Sequence, residues 1–334
     1  MEIDLRRQTL SIAIREQHDV GDARRQAMQI GKDVGFDETM HGRIGIVATE
    51  LAGNLVKHAG GGALLLRLLD GGGETGIELM SLDDGPGMDA QRCMEDGYST
   101  AGSPGTGLGA IKRLAAAFDV YSVRGKGSVV MAQLWPRDAP LSAYDIGAVC
   151  VPVAGERLCG DAWATRPMDD GLDIVVSDGL GHGPVAAEAS RLALDTFGRK
   201  ADLGPGAMLE TMHAAMRSTR GAAVLAMRLD AAHNSLTCAG IGNICGSILD
   251  FPKSKGIVSM NGIVGHQVHK VKEFSYDCGG ADVLVLHSDG LATHWKLDDF
   301  PGLAMRSASI IAGMMFKTFR RGKDDATVLV VRRR

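Results

Sequence analysis

Aromatic residues are scarce in this 334-residue chain, at 4% of the total. Its cores must therefore be built from Leu, Val, Ile, Met and Ala. Cysteine chemistry is also missing. The six cysteines, Cys93, Cys150, Cys159, Cys238, Cys245 and Cys278, form no C-x-x-C pair and no zinc spacing. That excludes a zinc ribbon and fits thiols used as small buried apolar groups in a reducing cytosol. No run of about 18 apolar residues exists to span a bilayer, and the opening MEIDLRRQTL lacks an apolar signal core. A cytoplasmic protein without a membrane partner is expected. Nor is there an excess of positive charge. Lys plus Arg number 36 against 40 Asp plus Glu, for a net charge of −4, so no global basic field points to nucleic acid. What the chain does have is 45% hydrophobic residues and the length of two ordinary domains.

The most informative stretch is SLDDGPGMDAQRCMEDGYSTAGSPGTGLG, Ser81 to Gly109. Strand-like residues lead into Asp83-Asp84-Gly85-Pro86-Gly87, and a second cluster, Gly105, Gly107 and Gly109, opens a helix expected over Ala110–Phe118. Glycines where a loop meets a helix let backbone N–H groups approach an anion with no Cβ in the way. Asp83 supplies a hydrogen-bonding carboxylate at the other end. No Gly-Lys-Ser/Thr follows the glycines, which excludes a Walker A loop, and the spacing is not that of a Rossmann fingerprint. Upstream, Asp37 caps a helix in which Glu50, Asn54, Lys57 and His58 fall at i, i+4, i+7 and i+8 and so share one face. That set suits general-base work, Mg²⁺ ligation and phosphate contact; a solvated polar face is the plainer alternative. Strands expected at 63–69, 76–83, 120–123 and 128–134 complete a mostly antiparallel sheet with helices on one face.

ATELAGNLVKHAGGG, DDGPG, GSPGTGLG and RGKGS, in that order, resemble the motif boxes of the GHKL ATPase/kinase superfamily. The short module and the DGYST…GLGAIKRL phrasing are most similar to RsbT/RsbW-type serine kinases. No phosphoacceptor-histidine helix precedes the boxes, which argues against a histidine kinase. The resemblance implies Glu50 as general base on a substrate hydroxyl, Asn54 as ligand of the ATP-bound Mg²⁺, and Asp83 on the adenine amino group. Lys57, Gly85, Gly87, Gly105, Thr106, Gly107, Leu108, Gly109 and Ser128 are implied around ATP. The implied substrate is Ser or Thr on a STAS-domain antagonist or scaffold protein.

Trp135-Pro136-Arg137-Asp138-Ala139-Pro140 carries two prolines and no apolar period. It places a first domain at 1–137, a linker at 138–144 and a second domain at 145–334. In the second half, three apolar strands end or begin at an acid, Asp178, Asp289 and Asp324, and Asp161 follows a glycine. Carboxylates that converge in this way are unstable without cations, and hard oxygens select Mg²⁺ or Mn²⁺. Two such metals can activate water for in-line attack on phosphorus. Isolated Asp-Gly turns are the plainer reading of any one of these sites.

GDAW, SDGLGHG, GIGNI, HSDG and KDDATVLVV resemble the SpoIIE/RsbX branch of the metal-dependent (PPM) protein serine/threonine phosphatases. The resemblance implies that Asp178 bridges two Mn²⁺ or Mg²⁺ ions, that Gly179 offers its carbonyl, and that Asp161, Asp289 and Asp324 complete the shells, with Asp325 just outside. His182 is a candidate for contact with phosphate or a metal-bound water; a loop residue beside the site is the plainer alternative. Arg157, Arg166 and Arg220 are candidates for substrate phosphate. The expected fold is α+β in two domains, a GHKL (Bergerat) α/β sandwich followed by a PPM-type α-β-β-α sandwich. The expected function is a bifunctional partner-switching enzyme that phosphorylates a STAS-type regulator and dephosphorylates the same or a related one, with a sigma factor or another regulator as a downstream partner. The alternative is an ATP-binding sequestering module fused to an active phosphatase.

Overall fold

Residues 62–71 and 74–83 read GALLLRLLDG and ETGIELMSLD, nearly unbroken apolar runs rather than alternating ones. In the computed structural model, which describes residues 3–89, 107–140, 142–250, 253–278 and 283–334, they form a hairpin. After β1 (Leu10–Ile14) come β2 (Gly62–Gly71), β3 (Glu74–Asp83), β4 (Ala117–Val123) and β5 (Gly127–Leu134), joined as an antiparallel sheet in the order β1-β2-β3-β5-β4. Helices α1 (Gln17–Asp33) and α2 (Glu38–Asn54) pack together, with α2 against β2, β3 and β5. The Asp37 side chain caps α2 by accepting from the Met40 N–H at 2.8 Å. A single π-turn, Leu55–Ala59, follows α2 and ends at Gly60 in the left-handed region, φ 73°.

The expected helix over 110–118 is shorter and earlier. It spans Gly107–Leu114 (α3), and Phe118 already lies in β4. The β-branched and aromatic residues of AFDVYSV favour the strand, Ala116 N–H pairs with the Gln133 carbonyl at 2.8 Å, and Arg43 Nε satisfies the Leu114 carbonyl at 3.2 Å.

The second half supplies two further five-stranded sheets. Its strands are β6 (Tyr144–Val151), β7 (Asp161–Met168), β8 (Gly171–Gly179), β9 (Ala222–Asp230), β10 (Ser235–Ile241), β11 (Cys245–Asp250), β12 (Lys253–Ile257), β13 (Phe274–Asp277), β14 (Val283–His287) and β15 (Ala326–Arg333). One sheet runs β13-β10-β9-β8-β7 and the other β12-β11-β14-β15-β6. Their inner faces share a core that includes Ile174, Val176, Leu225, Leu286 and Leu329. The outward-facing Val175, Val224 and Ala226 of the first sheet pack under α4 (Gly183–Arg199) and α5 (Pro205–Ala215). Residues 174, 175 and 176 thus alternate between two cores, as a strand's period of two requires.

The chain does not divide into an uninterrupted first and second half. Its crossing between Ala143 and Tyr144 lies in the expected 138–144 linker, but the compact units exchange segments. One unit holds Thr9–Ala143, Asp299–Lys317 and the terminal Arg334; the other holds the residues up to Gln8, Tyr144–Asp298 and Thr318–Arg333. Gln8 is tied into its unit by donating to the Arg157 carbonyl and accepting from the Cys159 N–H.

In the first unit, α6 (Ala308–Phe319) lies on the sheet face made by Arg67, Glu78, Met80, Leu82, Val129 and Gln133. A Cβ on Gly313 would stand 2.4 Å from Met80 Sδ and 3.1 Å from Val129 Cγ1, so only a glycine permits this approach. Ser309 donates to Glu78 at 2.6 Å, beside a buried Arg67–Glu78 ion pair (2.7 Å) that Gln133 also joins. Among the described residues, no helix is long and apolar enough to cross a membrane.

Removing one partner of a buried ion pair leaves the other charge uncompensated. Glu78→Ala is expected to destabilise the first unit by about 3–5 kcal/mol, and Ser309→Ala by about 1 kcal/mol. Urea unfolding of each variant checks the order and the size.

Candidate functional site

Two groups of side chains are the candidates for the chemistry. In the first unit, the last turn of α2 and the start of α3 bring Glu50, Asn54 and Gly107 together. A Cβ on Gly107 would lie 3.0 Å from Glu50 Oε2 and 3.7 Å from Asn54 Oδ1. The glycine thus keeps open the space that both polar side chains face. Lys57 and His58 fall in the π-turn, so the 3.6-residue period that would align them with Glu50 stops at Asn54; both are exposed. Leu108 is buried, and Gly109 follows it in α3. Gly105 and Thr106 lie outside the described residues.

The other motif boxes fold against each other. Gly85 N–H donates to Asp83 Oδ1 at 2.9 Å, and the backbone of Ser128 also bonds this carboxylate. Burial raises the Asp83 carboxyl above its ordinary range, while these two N–H groups and the Lys317 charge pull it down. The Ser128 hydroxyl is buried and paired with Ser122 Oγ at 3.0 Å, so its part is to hold the turn. Gly87 and Gly127 are both left-handed, and a Cβ on Gly127 would overlap the Asp83 carbonyl at 1.8 Å. These glycines make the contact of DDGPG with RGKGS possible.

In the second unit, Asp161 and Asp178 are register partners across β7 and β8. Ser288 donates to Asp161 at 2.6 Å, Asn243 donates to Asp289 at 2.7 Å, and Asp324 immediately precedes Asp325 before β15. Asp325 is fully engaged by the N–H groups of Val153 (2.7 Å) and Gly160 (2.6 Å), which makes it a brace for the loop ahead of Asp161. Gly179 sits where a Cβ would meet the Ala186 carbonyl at 2.2 Å.

The acids feel one another. Burial and then Asp161, Asp289, Asp324 and Asp325 push Asp178 up to about 9. Burial first, with Asp325 and Asp289, pushes Asp161 up to about 7 against the Ser288 hydrogen bond. Burial and Asp324 raise Asp289. Among the described residues, however, no three His, Cys, Asp or Glu side chains stand at distances that would close on a metal. The acids are thus electrostatically coupled yet, as they stand, too widely spaced to close on one ion. An all-oxygen donor set in that condition fits hard divalent cations.

Around these acids, His182 Nδ1 pairs with Glu156 Oε1 at 2.9 Å. The Leu180 N–H donates to the Gly221 carbonyl, and Arg220 Nη1 lies 3.4 Å from where a Gly181 Cβ would be. Arg166 is committed elsewhere, to Asp173 and to the Phe197 and Ala201 carbonyls. For Arg157, it is the backbone that is engaged, accepting from Gln8. Of the three candidate arginines, Arg220 is the one against the Asp178 loop. Glu156, Asn243 and Ser288 were not singled out from sequence; Asn243 and Ser288 stand inside the motifs GIGNI and HSDG, whereas Glu156 has no local signal.

Comparison with known proteins agrees with both halves. Residues 15–134 match the family described as Histidine kinase-like ATPase domain, and residues 168–334 match Stage II sporulation protein E (SpoIIE). The serine/threonine-protein kinase RsbT of Bacillus subtilis (strain 168) is 35% identical over 127 residues, which are 38% of this chain and 96% of that protein. The phosphoserine phosphatase RsbX of the same organism is 26% identical over 139 residues, 41% of this chain and 69% of that protein. A solved structure described as "The bacterial stressosome: a modular system that has been adapted to control secondary messenger signaling" superposes with a TM-score of 0.54 at 25% identity, over 57% of this chain and all of that one. The chain thus belongs to two families at once, the RsbT-type serine/threonine kinases through its first half and the SpoIIE-type serine phosphatases through its second.

Proposed function

We propose that this protein is a bifunctional switch that adds phosphate to, and removes it from, Ser or Thr of a STAS-domain regulator in a partner-switching pathway. The observation that carries this reading is the presence of both catalytic sets in one chain: Glu50 and Asn54 at the mouth of α3, and the mutually repelling acids Asp161, Asp178, Asp289 and Asp324. The RsbT and RsbX relatives support an opposed pair of activities. A sigma factor remains a downstream partner in this proposal.

In the transfer reaction, Glu50 takes the proton from the substrate hydroxyl as its oxygen attacks the γ-phosphorus of ATP, and the bond from that phosphorus to the β,γ-bridging oxygen breaks to release ADP. Asn54 would hold the Mg²⁺ that arrives with the nucleotide, and Asp83 would accept from the adenine amino group. Gly85, Gly87, Gly107 and Gly109 keep Cβ atoms out of the nucleotide's path, and the α3 N-terminus favours phosphate there. Gly105, Thr106, Leu108 and Lys57 complete the proposed contacts.

For hydrolysis, Asp178, the Gly179 carbonyl, Asp161, Asp289 and Asp324 would hold two Mg²⁺ or Mn²⁺ ions. Such ions supply positive charge to phosphoryl oxygens and make water acidic enough to attack phosphorus. Arg220 binds the substrate phosphate from the Gly181 side. His182, oriented by Glu156, gives a proton to the departing seryl oxygen. Glu156 holds Nδ1 and so leaves Nε2 for that transfer.

Glu50→Gln is expected to slow phosphotransfer by about 10²- to 10⁴-fold while ATP still binds, as read by radiolabelled transfer to a STAS partner beside calorimetric ATP titration. Asp178→Asn is expected to abolish phosphatase turnover and leave phosphotransfer intact; wild-type turnover in this variant would overturn the metal assignment. A pH effect follows as well. Carboxyls held at about 9 and about 7 in the fold, against 3.8 ordinarily, disfavour the metal-free fold as pH rises, because unfolding lets them ionise freely. Cations replace those protons. Excess MgCl₂ should therefore raise the melting temperature more at about pH 8.5 than at about pH 6, and an equal shift at both would count against it.

A further inference from the structure

Lys317 lies near the end of α6, in the part of the sequence matched to the phosphatase family and far beyond residue 134, where the kinase-type match ends. Its side chain is only 8% exposed. Both of its partners nevertheless belong to the nucleotide unit. Lys317 Nζ meets Asp84 Oδ1 at 2.6 Å and donates to the Lys126 carbonyl at 2.6 Å. Asp84 sits in DDGPG and Lys126 in RGKGS, the two motifs that meet around Asp83.

We propose that Lys317 is a positioning residue of the nucleotide site, one that ties the Asp83–Gly87 loop to the Arg124–Ser128 turn and so fixes the carboxylate that reads the base. This rests on the reading of the first site given above. Without Lys317, the described bonds joining loop and turn come from the backbone or from small hydroxyls. They are Gly125 N–H to the Pro86 carbonyl at 2.9 Å and the Ser128 backbone to Asp83, with Met88 N–H to Ser122 Oγ at 2.8 Å just outside them. Lys317 adds a charge-assisted bond to each side, which is stronger than a neutral one.

Its position is fixed from outside the site. Ahead of α6, Ser307 N–H donates to Asp119 Oδ2 at 2.8 Å. In the middle, Ser309 bonds Glu78 and Gly313 rests on Met80. A helix held at those points delivers the ammonium group to one place. The same charge counteracts the effect of burial and of Asp84 on the Asp83 carboxyl, which keeps it available as an acceptor. The nucleotide site is thereby completed by a residue that the matched kinase stretch does not contain.

The test uses the full chain and isothermal titration with Mg·ATP and Mg·GTP for wild type, Lys317→Met, Lys317→Arg and Asp83→Asn, each with a thermal melt. Lys317→Met should weaken ATP binding about tenfold, the effect of losing one hydrogen bond to a charged group. GTP, which offers no adenine amino group, should lose less, so the preference for ATP over GTP shrinks. Lys317→Arg should restore most of the affinity and the preference. No ATP binding by wild type, or an unaltered Asp83→Asn, would overturn the nucleotide-site reading itself. Loss in Asp83→Asn with wild-type affinity and preference in Lys317→Met would overturn the role of Lys317 alone. Equal losses of ATP and GTP in Lys317→Met, with an altered melt, would also overturn it, since they mean general damage.

Discussion

A sheet that is apolar on both faces must be covered on both faces. That constraint governs the first unit. The partners Arg67–Glu78–Gln133, Leu65–Met80–Met131 and Ala63–Leu82–Val129 share one face, and Ile77 and Leu79 belong to the other. With α2 on one side, the opposite face needs its own layer, and the sequence places that layer at residues 308–319. Most of α6 is itself apolar, and Ala308 to Phe316 are all buried, as expected of a helix with no solvent-facing stripe. The buried Arg67–Glu78 pair sets where it docks, because only a hydroxyl at 309 meets Glu78 there.

The second unit depends on the opposite kind of force. Its candidate site gathers acids whose charged forms disfavour one another, so that Asp161 and Asp178 hold their protons up to about 7 and about 9. Strand ends set the acids, while Ser288, Asn243 and the N–H groups of Val153 and Gly160 fix individual oxygens. Hydrogen bonds of that sort orient carboxylates without cancelling their charge, which leaves room for cations to do so. In the proposed reading, the two units reach phosphate by different means. One uses glycine to bring backbone close, and the other uses clustered carboxylates to attract metal.

Much of this was legible in the sequence because the motifs are local. Glycines at 85, 87, 107 and 127 report tight approaches that the backbone angles and contacts explain, and the acids at strand ends mark the second site. The helix at 107–114 was displaced in the reading because Phe118 looked like part of an apolar helical face, when AFDVYSV is a strand by composition. The alignment of Lys57 and His58 with Glu50 assumed an uninterrupted 3.6 period, and a π-turn cannot be seen in a periodicity. The route of α6 was harder. Its sign was present in LLLRLL and IELMSL, which do not alternate as a one-faced sheet would, but nothing near 63–82 names the segment that covers them. Glu156 gave no sign, since a half-buried glutamate in a loop acquires meaning only from the histidine it meets.

The separation in sequence between Glu78 and Ser309, 231 residues, also sets an order of events on the ribosome. Domains generally fold as units while the chain is being made, the N-terminal one first. Here the first sheet emerges early, yet the helix that closes it is translated only after β6 to β14 of the second unit. A nascent chain therefore holds that apolar face uncovered while those strands are made. The first unit is therefore closed by a segment that is made after β14 of the second.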